Sequence, residues 1–149
     1  MKLELEIKQK SFKSEYHKLA VNLVYTGNWV GAKSSYQLKQ HKLTLQQYNL
    51  LRILRGQYPN PATVNLLIER MLDKMSNASR IVDRLLAKKL VERKTCSDDR
   101  RCVDVIITQK GLQLLEKIDT LEKGWLSQFK DLSSKEALEL NRLLDKLRG

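Results

Sequence analysis

Ser76-Asn77-Ala78-Ser79-Arg80-Ile81-Val82-Asp83-Arg84-Leu85-Leu86-Ala87-Lys88 is the stretch that decides the fold. Wound at about 100° per residue, it divides into two faces. Ala78, Ile81, Val82, Leu85 and Leu86 fall on one side; Ser76, Asn77, Arg80, Asp83, Arg84 and Lys88 fall on the other. The apolar side needs a core to lie on. The other turns Arg, Asn, Ser and Lys to solvent, the side chains that bond base edges and phosphates in a major groove. Many solvated helices show such a face, so its neighbours must give it meaning.

Upstream, Asp73 or Ser76 is expected to cap this helix, and Thr63 caps a short helix running to Met71. Two short helices and a tight turn make a helix-turn-helix. Earlier still, Thr44 and Gln47 form a Thr-x-x-Gln capping box. The helix they open buries Tyr48, Leu50, Leu51 and Leu54, and Pro59-Asn60-Pro61 ends it.

Downstream the period changes. Leu90 to Thr95 reads as a strand, and Val103, Val105 and Ile107 alternate with Cys102, Asp104 and Ile106 as a second. Cys96-Ser97-Asp98-Asp99-Arg100-Arg101 is the polar loop between them, so the pair is a hairpin with a basic tip. A helix-turn-helix followed at once by a hairpin is a winged helix. Its tip, carrying Arg100 and Arg101, suits a minor groove, where narrow A·T-rich stretches concentrate negative potential. Asp99 can hold one guanidinium in bidentate geometry and aim the other. Thr108 then caps a long helix from Gln109 to about Lys130. Ser133 and Glu136 form a second capping box, and Ala137, Leu140, Leu144 and Leu147 line one face of the last helix.

At the other end, Leu3 to Ile7 alternates as a strand would, or is a terminus that frays. From Phe12 the spacing is helical, through Tyr16, Leu19, Ala20, Leu23 and Val24. Gly27-Asn28 marks a kink or break before a second helical stretch, Trp29 to Gln40.

Ser79-Arg80-Ile81-Val82-Asp83-Arg84-Leu85, Leu90-Val91-Glu92-Arg93, Asp99-Arg100-Arg101 and Ile107-Thr108-Gln109-Lys110-Gly111, in this order and spacing, resemble the MarR family of bacterial transcription regulators. The resemblance covers nearly the whole chain. It implies a mainly α fold with a small β-hairpin wing: a winged helix-turn-helix flanked by N- and C-terminal dimerisation helices. The chain is then one unit, 1–149, with a DNA-binding region at 44–110 and dimerisation helices at 1–40 and 111–149. It further implies a homodimer on a near-palindromic duplex. Candidate DNA contacts are Ser76, Asn77, Ser79, Arg80 and Arg84 on the helix and Arg100 and Arg101 on the wing. Asp99 and Arg101 fall on the family's Asp-x-Arg, so Arg101 is the minor-groove residue and Asp99 its orienting partner. Family members often bind small phenolic or other aromatic effectors. Tyr16, Trp29, Tyr36 and Tyr48 either line such a pocket or are ordinary core. One position departs from the pattern: the family has Gly before Leu90-Val91, and here Lys89 stands there. Either the helix ends differently, or Lys89 takes a left-handed conformation that costs about 1 kcal/mol.

Charge fits this reading. The chain of 149 residues carries 28 Lys+Arg against 17 Asp+Glu, net +11. Residues 70–110 hold 11 basic and 6 acidic groups, whereas 111–149 are balanced at 7 and 7. A polyanion surface belongs to the first three-quarters, and the neutral end, with Leu112, Leu115, Ile118, Trp125 and Phe129, suits two-fold pairing. At 42% hydrophobic and 30% charged the composition is that of a folded domain, not a disordered one.

Other classes find little footing. The histidines are His17 and His41, and no Cys-x-x-Cys, His-Glu-x-x-His, phosphate loop or Gly-x-Ser-x-Gly occurs. No enzyme, metal or cofactor is expected. No apolar run approaches the roughly 20 residues that span a bilayer. The N-terminus lacks a secretory apolar core, and two cysteines suit a reducing cytoplasm. Cys96 and Cys102 bracket the wing loop, as a redox pair beside Arg100, Arg101 and Lys94 or, more plainly, as incidental thiols. The alternative function is a winged helix that contacts protein instead of DNA, which a salt titration separates.

Overall fold

The computed structural model describes residues 2–95 and 103–149. Its elements are α1 (Leu3–Glu6), α2 (Glu15–Lys39), α3 (Leu45–Gln57), β1 (Ala62–Thr63), α4 (Val64–Arg70), α5 (Ala78–Ala87), β2 (Val91–Thr95), β3 (Val103–Ile107), α6 (Gln109–Leu126) and α7 (Ser134–Arg148), with a 3-10 turn at Ser127–Phe129. Helices dominate, and the strands form one antiparallel sheet in the order β1-β3-β2. This is the mainly α winged helix-turn-helix that the sequence implied.

The core gathers where the amphipathic faces meet. Leu50 and Leu51 of α3, Leu67 of α4, Val82 and Leu85 of α5, Val105 of β3 and Leu115 of α6 are completely buried. Both capping boxes form as the spacing requires. Thr44 Oγ1 accepts from Gln47 N at 3.2 Å while Gln47 Oε1 accepts from Thr44 N at 3.2 Å. Ser133 and Glu136 repeat the arrangement at the head of α7. Thr63 caps α4 by accepting from Leu66 N at 3.1 Å.

β1 is the strand that sequence alone did not show. Two residues are too few for alternation to register, and its existence rests on pairing with a distant partner: Ala62 faces Val105 and Thr63 faces Asp104. In the wing, the two strands read from the sequence pair antiparallel, with Val91 facing Ile107 and Thr95 facing Val103.

Two N-terminal expectations are corrected. Leu3–Glu6 is a helical turn, not a strand. Among the described residues nothing pairs with it as a sheet, and one ion pair and one hydrogen bond hold it to α2: Lys18 Nζ lies 2.6 Å from Glu4, and the Tyr25 hydroxyl donates to Glu6 at 2.9 Å. Gly27-Asn28 breaks nothing either. α2 runs unbroken through them for 25 residues, because the helix is held by its whole length while a glycine costs it only about 1 kcal/mol.

The long helices leave apolar surface outside. In α2, Tyr16 and Tyr36 are more than four-fifths exposed. α7 buries no residue at all, and Leu138, Leu140, Leu143 and Leu147 stand open. The start of α6 behaves differently: Leu115 and Ile118 are consumed by the chain's own core.

Candidate nucleic-acid interface

α5 begins at Asn77, not at the expected Asp73 or Ser76. Asn77 Oδ1 accepts from Arg80 N at 3.0 Å and closes the first turn. Asp73 shapes the preceding turn instead. Its carboxylate accepts from Met75 N at 3.0 Å and from the Ser76 hydroxyl at 2.8 Å. These bonds, the Ser76 one first, hold the Asp73 carboxyl below its ordinary pKa. The turn between α4 and α5 is thus locked by a charged hydrogen-bond acceptor, and Asn77 is left at the mouth of the helix.

From that cap the faces follow. Ala78, Val82 and Leu85 are buried and Ile81 and Leu86 half-buried, while Asn77, Ser79, Arg80, Asp83 and Arg84 are exposed. A groove of about 230 Å³ lies beside this helix. It brings together four sequence-expected residues, Ser76, Asn77, Arg80 and Arg84, and adds Thr44, Gln46 and Gln47 from the start of α3. Gln46 is a polar contributor that sequence reading missed; only the packing of α3 against α5 brings it there. Ser79 faces solvent outside the groove. Asp83 pairs with Arg93 of β2, which ties the helix to the wing.

Lys88 is corrected. Its ammonium does not join the solvent face. It turns inward and donates to the carbonyl of Lys42 and, at 3.0 Å, to Gln47 Oε1. Burial, with the charge of Arg84 nearby, lowers its pKa from the ordinary lysine value.

Lys89 takes the left-handed conformation, with φ 58°. Lys89 N donates to Leu86 O at 2.8 Å and Leu90 N to Leu85 O at 3.0 Å, the two bonds of a Schellman ending. Leu90 and Leu85, its apolar partners, are both buried. The helix therefore ends as a glycine would end it, and a lysine bears the strain. Thr108 Oγ1 donates to Lys89 O at 3.0 Å and Lys110 Nζ to Lys88 O at 3.0 Å, which satisfies the terminal carbonyls.

Asp99, Arg100 and Arg101, with Cys96 and Cys102, lie outside the described residues. Among the described residues no cluster of His, Cys, Asp and Glu could hold a metal ion, and no helix is long and apolar enough to cross a membrane.

A second concavity, about 570 Å³, opens between α2, α3 and α6. Gly27, Val30, Gly31 and Ser34 form its α2 wall, Leu45, Tyr48, Asn49 and Arg52 its α3 wall, and Leu38, His41 and Ile118 complete it with Leu72 and Gln37. Of the four aromatic side chains weighed for such a pocket only Tyr48 lines it. Tyr16 and Tyr36 are neither pocket nor core but exposed, and Trp29 carries the Lys33 ammonium 4.4 Å from its ring. His41 Nε2 is buried with no hydrogen-bond partner among the described residues.

A model of the MarR family matches residues 41–101, from the end of α2 through the wing. The winged helix of this chain is that of the MarR family. Solved MarR-family structures overlie nearly its full length. A MarR transcription factor from Planctomyces limnophilus is 29% identical, with 91% of this chain and 98% of the other covered and a TM-score of 0.70. A mutant MarR from E. coli complexed with operator DNA is 22% identical, covering 93% and 99%, with a TM-score of 0.81. BpsR of Bordetella bronchiseptica, whose DNA binding is regulated by 6-hydroxynicotinic acid, is 23% identical, covering 89% and 99%, with a TM-score of 0.78. No curated protein sequence matches the chain.

Proposed function

We propose that this MarR-family chain is a homodimeric repressor that binds a near-palindromic duplex and releases it in response to a small aromatic molecule. The carrying observation is the exposed face of α5, where Asn77, Arg80 and Arg84 stand beside one groove on a core-anchored helix. Arg80 and Arg84 reach base edges and phosphates; the Asn77 amide, its oxygen committed to the cap, offers its NH2 group. Ser76, bonded to Asp73, and Ser79 contribute at the margin of the contact. Arg100 and Arg101 of the wing enter the adjacent minor groove, with Asp99 aiming Arg101. The relatives support this reading, one being bound to operator DNA and another regulated by an aromatic acid.

The dimer assignment rests on surface. Exposed leucines along α7 and exposed tyrosines on α2 have no cover among the described residues, and pairing about a two-fold axis buries both. Residues 1–40 and the part of 111–149 beyond Ile118 form that interface, and 44–110 meets DNA. The cavity between α2 and α3 receives the effector.

Selection of duplexes from a random pool tests the function. Enrichment of a sequence with two related half-sites about one helical turn apart supports it. Binding of all duplexes alike, or of none, refutes it. Sedimentation at micromolar concentration should give twice 17.4 kDa, and a monomer would refute the dimer.

A further inference from the structure

The junction between α2 and α3 has two sides. On one, Leu38, His41, Leu45 and Tyr48 line the 570 Å³ cavity. On the other, the carbonyl of Lys42 and the amide oxygen of Gln47 both receive the ammonium of Lys88, the residue that caps the C-terminal end of α5, the helix read as contacting DNA. Gln47 is itself buried, and its oxygen also accepts from Thr44 N. The junction is therefore a thin wall, with the cavity against one surface and the Lys88 ammonium bonded to the other. Lys42 is held at φ 55° between these contacts. Its amide donates to Lys39 O at 2.9 Å and Leu43 N to Leu38 O at 3.2 Å. A shift of Leu38 or His41 thus moves the carbonyl that Lys88 holds.

The wall facing the junction across the cavity is hollow for a local reason. Gly27 and Gly31, one turn apart in α2, line the cavity, and a Cβ on either would meet nothing within 4 Å. A side chain placed there enters the cavity and stands in for an occupant.

We propose that Lys88 is a positioning residue that transmits occupancy of the cavity to the recognition helix, through Lys42 and Gln47. The proposal rests on the DNA-binding reading above and adds how the cavity and α5 communicate. Filling the cavity presses on Leu38, His41 and Leu45, the wall shifts, and the Lys88 ammonium draws the C-terminal end of α5 with it. Arg80 and Arg84 then meet the duplex from an altered angle. Coupling of this kind needs a contact that both sites bias, and Lys88 supplies one.

A double-mutant cycle tests it without an identified effector. Gly31→Leu fills the cavity covalently, and Lys88→Met keeps the stem while removing the donor. Gly27→Leu is the second filler, used where thermal melting shows Gly31→Leu to be unfolded. Affinity for the duplex selected by the wild type is measured by anisotropy at fixed salt. Filling should change affinity at least about fivefold when Lys88 is present and less than about twofold in the Lys88→Met background. An equal change in both backgrounds, or none in either, overturns the proposal. Amide exchange across residues 78–90 reads the same cycle without DNA: filling should alter exchange there only when Lys88 is present. If the wild type selects no duplex, the regulator reading fails, and the exchange cycle still decides the coupling.

Discussion

The backbone of Gly111, in the first turn of α6, lies against the carbonyl oxygen of Leu90 so closely that a Cβ there would overlap it, and would stand 2.7 Å from Ile107 Cγ1. That carbonyl also accepts from Thr108 N at 3.1 Å, and Gly111 N donates to Thr108 Oγ1 at 3.1 Å. The helix that leaves the wing is thus seated on the residue that enters it. Gly111→Ala should destabilise the chain by about 1–3 kcal/mol, since backbone cannot yield as a side-chain tip can. Gly56→Ala is the control: in α3 its Cβ would meet nothing within 4 Å, and it should stabilise by about 0.5–1 kcal/mol. Urea midpoints check both, and an unchanged midpoint for Gly111→Ala would contradict the packing described.

Lys89 bears left-handed strain at φ 58°. Lys89→Gly should relieve it and stabilise the fold by about 1 kcal/mol, with no change in the Schellman bonds. Thermal unfolding measures this. A destabilised variant would mean that the lysine side chain contributes more than its backbone costs.

The recognition helix and both capping boxes were legible in the sequence because each is decided within a few residues. Val82 and Leu85 have no choice of face once α5 is helical, and Thr44 finds Gln47 one turn away. What was not legible depends on distant partners. Lys88 reads as one more solvent cation until Gln47, 41 residues earlier, is packed beside it. Ala62–Thr63 is a strand only because Val105 lies opposite. Gly27 reads as a helix breaker, and its place in a cavity wall needs α3 in position. The aromatic residues misled for a related reason. Tyr16 and Tyr36 carry apolar surface at helical spacing, but spacing alone does not say whether the core reaches them, and both stand exposed.

Glu136 gives a pH-dependent test of α7. Its carboxylate accepts from the Ser133 hydroxyl at 2.7 Å and from Ser133 N at 2.8 Å. The Ser133 bonds hold its pKa below the ordinary glutamate value. A depressed pKa means stabilisation that is complete above the unfolded-state value and lost as pH falls through the native one. Glu136→Gln should therefore be less stable than wild type at neutral pH, and the two should converge in acid. A difference that persists below that range would place the effect elsewhere.

Arg101→Ala should weaken duplex binding and flatten the log–log salt slope by about one unit. Asp99→Ala removes a negative charge, so simple electrostatics favours tighter binding. An orienting role for Asp99 predicts weaker binding, because Arg101 loses its fixed geometry. Titration of the Asp99 variant at fixed salt decides between them, and tighter binding would make Asp99 a bystander.

If the exposed face of α5 reads base sequence, Arg80, at the middle of that face, does most of the reading. The most direct measurement compares wild type and Arg80→Ala on the selected duplex and a scrambled one over a salt series. Wild type should prefer the selected duplex, with affinity falling steeply and linearly on a log–log salt plot. Arg80→Ala should lose about 1–3 kcal/mol of that preference while still binding both. Equal binding of the two duplexes by the wild type, or a preference unchanged in the variant, would mean that Arg80 on α5 does not read bases.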